Sequence, residues 1–143
     1  MNYANELLNK GQLAQTQDVL NKAEPIVLKL ENTAYAQYYF YMKGDLDLRK
    51  KDFGSAIISL KKSLQLAEVD NDAHQVSGAM SLLFDCYNAI NMLPEARIYL
   101  DSTLLLAEEA GLKMRRKEVY DGFAVWYEKK GITEIQTFIL KRP

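Results

Sequence analysis

Residues 40–60 read FYMKGDLDLRKKDFGSAIISL, two apolar stretches separated by the turn-prone pair Lys51-Asp52. Beyond the turn, Leu60, Leu64 and Ala67 recur at intervals of three and four, which places them on one face of an α-helix. Strand-like alternation is absent, so the stretch predicts two helices joined by a tight turn. Moving outward, Leu60 is one of four leucines, Leu20, Leu60, Leu100 and Leu140, that stand 40 residues apart. Thr16, Ala56, Ala96 and Gln136 align four places before them, and Ala23, Ser63 and Thr103 three places after the first three. Leu7, Asp47, Tyr87 and Tyr127 keep the same interval, as do Gly11, Lys51, Asn91 and Gly131. A fixed period of this length implies one supersecondary unit, stacked because each copy is too small to bury its own apolar face.

The turn signals therefore predict helices near 2–10, 13–31, 34–50, 53–69, 73–90, 93–110, 113–130 and 133–141. Lys10-Gly11, Lys51-Asp52, Asn91 with Pro94, and Lys130-Gly131 part the two helices of a pair; Asn32-Thr33, Asp70-Asn71-Asp72 and Ala110-Gly111 part successive pairs. Pro25 removes a backbone donor and is expected to kink or shorten the second helix. The expectation is an all-α stack forming one domain over 1–143, with units near 1–32, 33–71, 72–111 and 112–143. Both ends fall inside the pattern, as expected of a piece of a longer array.

The 143 residues are 48% apolar, with formal net charge −1, so no global field draws in nucleic acid or an anionic membrane. The N-terminus carries Asn5, Glu6, Asn9 and Lys10 and lacks the apolar core of a signal peptide, and no stretch reaches membrane-spanning length. A soluble protein is expected, cytoplasmic if the chain is complete.

The repeats resemble the tetratricopeptide family, whose units carry a bulky residue, Leu-Gly and Tyr at set spacing, then Ala and Phe. The best copy is Phe40-Tyr41-Met42-Lys43-Gly44-Asp45-Leu46-Asp47, followed by Phe53, Ala56 and Leu60. The next reads Met80, Leu83, Phe84, Tyr87, Ala96, Leu100, the last Tyr120, Phe123, Ala124, Tyr127, Gln136, Leu140, and a partial first copy runs through Tyr3, Ala4, Leu7, Thr16 and Leu20. Phe84 replaces the small residue, Asp47 the aromatic, and Gln136 the alanine. The 40-residue period exceeds the family's 34 and is similar to the long repeats of bacterial regulatory and peptide-sensing members. WYEKKG, residues 126–131, is similar to arrays that precede signalling domains in bacterial sensors.

The resemblance implies a right-handed superhelix of about three and a half repeats. Its concave face, lined by the first helix of each pair, would bind a peptide or protein segment. Carried over residue by residue, the groove positions are Asn5 and Asn9; Tyr38, Tyr41, Asp45 and Arg49; Ser81, Asp85 and Asn88; Glu118, Asp121, Glu128 and Lys129. Acids exceed bases there, and the family's lysine, asparagine and arginine clamp for a terminal carboxylate is missing, so a basic or polar peptide is expected. The competing reading of these carboxylates is an ordinary solvated face. Tyr38 and Tyr41, three apart, share a helix face and either present hot-spot area to a ligand or pack between repeats. Of the five aromatics in residues 35–41, Phe40 and Tyr39 are expected to turn inward.

No enzyme is expected. His74 lacks ligand-spaced partners, Cys86 reads as a small buried hydrophobe, and no phosphate-binding glycine loop occurs. No cofactor or metal is implied. The basic clusters Lys113-Arg115-Arg116-Lys117 and Lys141-Arg142 read as a solvated helix start and tail, with nucleic acid or an acidic partner as the competing idea. A second function class is self-association, in which Ile135, Phe138 and Ile139, with no following helix to cover them, pair two copies into a homo-oligomer.

Overall fold

The computed structural model describes residues 2–30 and 32–140, which form seven helices and no strand. They are α1 (Asn2–Asn9), α2 (Leu13–Leu30), α3 (Thr33–Arg49), α4 (Phe53–Asp70), α5 (Ala73–Ala89), α6 (Leu93–Ala110) and α7 (Lys113–Leu140). Short polar side chains start three of them by satisfying free N–H groups of the first turn. Asn32 Oδ1 accepts from the amides of Ala34 and Tyr35 at 3.0 and 3.2 Å, and Asp72 from those of His74 and Gln75 at 3.0 and 3.1 Å. Asp52 accepts from the Ser55 amide at 3.4 Å.

The 40-residue interval is visible in the backbone. Gly11, Lys51 and Asn91 all adopt left-handed φ, at 73°, 63° and 64°. In each case the next amide reaches back to a carbonyl of the preceding helix, Gln12 to Leu7, Asp52 to Asp47 and Met92 to Tyr87, at 2.8–2.9 Å. One helix-ending turn is thus built three times.

Every helix packs on its chain neighbour. Leu20, Leu60 and Leu100 are buried, each with its small companion Thr16, Ala56 or Ala96 fully enclosed against the partner helix. Gly44 marks the closest approach between α3 and α4: a Cβ there would lie 2.5 Å from Leu60 Cγ. Phe84, one interval on, leaves no such room on α5, and Gly122 of α7 supplies the compensating space. A Cβ on Gly122 would meet the Phe84 ring at 3.3 Å and Leu100 at 2.8 Å.

The expected turn at Lys130-Gly131 does not form, and the helices expected over 113–130 and 133–141 are one helix, α7, to Leu140. A returning helix would place residue 136 where Thr16, Ala56 and Ala96 are enclosed. Gln136 does not fit there, and Ile132, Ile135, Phe138 and Ile139 lie off that register. Folding back would bury little, whereas continuing keeps the helical hydrogen bonds. Leu140 is accordingly exposed, and the leucine ladder ends at Leu100. Thr133 Oγ1 donates to the Lys129 carbonyl at 2.9 Å and reaches Asn91 Oδ1 at 3.4 Å, tying α7 to the α5–α6 turn.

One smaller expectation also changes, that for Pro25, whereas Tyr39 and Phe40 both turn inward as expected. Pro25 does not end α2, which continues to Leu30, because Val27 beyond it is held in the core with Leu20 and Tyr39. Tyr39 is more deeply buried than Phe40, its hydroxyl donating to Glu24 at 3.3 Å. Asp47, where the family has an aromatic, accepts from Ser55 Oγ at 2.8 Å across the α3–α4 turn. Lys141 and Arg142 lie outside the described residues.

Candidate functional site

Helical spacing puts Tyr41 and Asp45 one turn apart on α3, Ser81, Asp85 and Asn88 on successive turns of α5, and Glu118, Asp121 and Val125 on α7. The three helices bring Tyr41, Ser81, Asp85, Asn88, Glu118 and Asp121 around one cleft of about 530 Å³, whose floor includes Phe84 and Gly122 and reaches Leu100 and Thr103 of α6. Tyr38 lines a smaller adjoining cleft with Gln37, His74 and Gln75. Asn5, Asn9 and Glu128 are exposed but lie away from both clefts, and Arg49 faces α1.

Two of the carboxylates are neutralised from within. Asp45 accepts from Arg49 Nε at 3.2 Å, and the same guanidinium donates to the Leu8 carbonyl at 2.7 Å, so it fastens α1 to α3. Burial pushes the Asp45 carboxyl up while Arg49 draws it back down. Glu118 pairs with Arg115 at 2.7 Å. Arg115 is mostly buried, donates to Ser77 Oγ at 3.0 Å and lies against Gly78 and Tyr41. It is not part of a solvated helix start, as the basic cluster suggested. The charge run around it gave no sign that one of four cations turns inward.

Asp85 differs. Among the described residues no cation lies within ion-pair distance of it and no hydrogen bond reaches it. It opens to solvent through the cleft mouth, yet α3, α5 and α7 crowd it. Desolvation, with Asp45 and then Glu118 as like charges, pushes its pKa up to about 6. One turn on, Asn88 is only 7% exposed and its Oδ1 accepts no hydrogen bond. Its backbone carbonyl does accept one, from Lys129 Nζ. Burial likewise raises the Tyr41 hydroxyl.

Elsewhere, Cys86 is fully buried and its thiol is pushed up to about 12 by burial, then by Asp85 and Asp45. His74 is exposed. Among the described residues no cluster of His, Cys, Asp and Glu is placed to hold a metal ion. Nor, among the described residues, is any helix long and apolar enough to cross a membrane. Trp126, which the sequence offered only as part of WYEKKG, closes the α6–α7 contact: its Nε1 donates to the Leu93 carbonyl at 2.8 Å, and Arg97 lies 4.9 Å from its ring. No protein-family model, curated protein or solved structure matches the chain.

Proposed function

We propose that the chain is a non-catalytic scaffold of tetratricopeptide type that binds a protein or peptide segment along α3, α5 and α7, as the sensory or adaptor part of a bacterial regulator. One observation carries this reading. The odd-numbered helices touch one another across the array, α1 with α3, α3 with α5 and α5 with α7, whereas α2, α4 and α6 make no such contacts among the described residues. An array closer-packed along one side curves toward that side, which is how stacked helix pairs form a right-handed superhelix with a concave binding surface. The cleft opens there, and its uncompensated charge is acidic, which suits a basic or polar segment.

The test is reversal of Asp85 and Asp121 to lysine. Asp45 is avoided because its partner Arg49 also holds α1. The double variant is expected to lose capture of an immobilised lysine- and arginine-rich peptide without a lower melting temperature. Unchanged capture would overturn the reading.

A second reading is self-association. It rests on the last turns of α7, where Ile132, Ile135, Phe138 and Ile139 are all more than half exposed. Light scattering decides it: a dimer that Ile135→Asp converts to monomer supports it, and a monomer at high concentration removes it.

A further inference from the structure

We infer that the α3–α5–α7 cleft holds a single anchor site for an organic cation rich in N–H donors, of the kind an arginine side chain presents, with Asp85 as its counter-ion and Asn88 Oδ1 as its neutral acceptor. The inference rests on the scaffold reading and names the chemistry that its central position recognises.

The argument begins with what the cleft has left over. Of the other acids in and beside it, Asp45 is answered by Arg49 at 3.2 Å and Glu118 by Arg115 at 2.7 Å. Both guanidinium groups have further duties, to the Leu8 carbonyl and to Ser77, so neither is free to turn toward Asp85. Lys129 is committed to the Asn88 backbone carbonyl. The protein thus supplies internal partners for Asp45 on α3 and Glu118 on α7 and none, among the described residues, for Asp85 on α5 or Asp121 on α7; of these two, Asp85 is the one beside Asn88 on the same helix.

Asn88 points to a ligand independently. A buried amide oxygen without a donor costs free energy, and native proteins rarely leave one. The residue Asn88 lines the same cavity as Asp85 and lies three residues along the same helix, so the two are neighbours on one face. Both are acceptors. A group that satisfies both must bring at least two donors and a positive charge, as the planar fork of a guanidinium does. The cavity is within the range of small-ligand sites and the Tyr41 ring borders it, a surface suited to a flat cation.

The groups facing Asp85 are Tyr41 and Asp45 on α3 and Arg115, Glu118 and Asp121 on α7. Burial, and then the like charges of Asp45 and Glu118, hold its proton more tightly than usual. A bound cation must displace that proton, so affinity falls as pH drops through about 6.

The test uses the whole chain and two short acetylated, amidated peptides of glycine and alanine that differ only at a central arginine or citrulline, which has the same shape without charge. At about pH 7.5, calorimetry is expected to show the arginine peptide binding at least about tenfold more tightly. Asp85→Asn, isosteric and uncharged, is expected to abolish that preference without lowering the melting temperature. Lowering the pH to about 5 is expected to weaken arginine binding roughly tenfold and citrulline binding far less. Equal affinity for the two peptides, a preference that survives in Asp85→Asn, or no arginine binding at millimolar concentration would each overturn the proposal. Equal affinity with both peptides still perturbing α5 and α7 overturns the anchor alone and leaves the scaffold reading standing.

Discussion

Asp85 should reveal itself in stability before any ligand is known. Its carboxyl is raised to about 6 in the folded chain from an ordinary value of 3.8, so the folded state binds this proton more tightly than the unfolded state does. Stability from this residue is therefore greatest below about pH 4, falls as pH rises to about 6, and stays reduced above that. Asp85→Asn is expected to raise the melting temperature at neutral pH, with the gain vanishing near pH 4. A gain that grows on acidification would contradict the assignment. The packing residues make a sharper claim. Gly44→Ala drives a methyl into the fully buried Leu60 and is expected to cost roughly 1–3 kcal/mol in denaturant unfolding. Gly54→Ala, with nothing within 4 Å of the added carbon, should be neutral or stabilise by up to about 1 kcal/mol. Gly44 was legible as a close-approach residue because the repeat alignment puts it opposite a second helix. Gly122 was not, because its duty arises from Phe84, a departure that only the neighbouring helix can absorb.

At the scale of the element, α7 is the place where local pattern and fold disagree. Gly131 stands in line with Gly11, Lys51 and Asn91, and a reader of the sequence places a turn there. The backbone turns at lysine and asparagine but not at this glycine. What decides the turn is the face offered by the returning helix, and Gln136 with exposed Leu140 offers little. Gly131→Ala is therefore expected to stabilise by about 0.5–1 kcal/mol, as alanine does inside a helix. Gly111→Ala, at φ 68°, is expected to cost about 1 kcal/mol or more. Loss of stability in Gly131→Ala would restore the turn and the helix pair. The other six helices were readable within a residue or so of their ends, since caps and turn residues sit where side-chain chemistry demands them. The face of α7 turned to the cleft was only half readable. Carboxylates at helical spacing could be counted, and Arg115 stands three places before Glu118, but that Arg115 also turns inward to Ser77 of α5 could not be read from α7 alone.

Over the whole molecule, the leucine period, carried by Leu20, Leu60 and Leu100, organises one continuous object: neighbouring helices share two linked apolar clusters, one around Leu8, Leu20 and Met42 and the other around Leu60, Leu83 and Leu100. The same stacking that buries those leucines on the even helices leaves one side of α3, α5 and α7 to line a cleft. The proposed binding surface lies on that side and the proposed anchor is Asp85, and neither depends on the exposed end of α7. The most direct test is an amide NMR titration of the whole chain with an arginine-containing peptide, followed residue by residue. The account predicts shifts concentrated at Tyr41, from Gly78 to Ala89 and from Arg115 to Val125, with α2 and α4 silent. Shifts centred on α2 and α4, or on Ile132 to Leu140 alone, would contradict it.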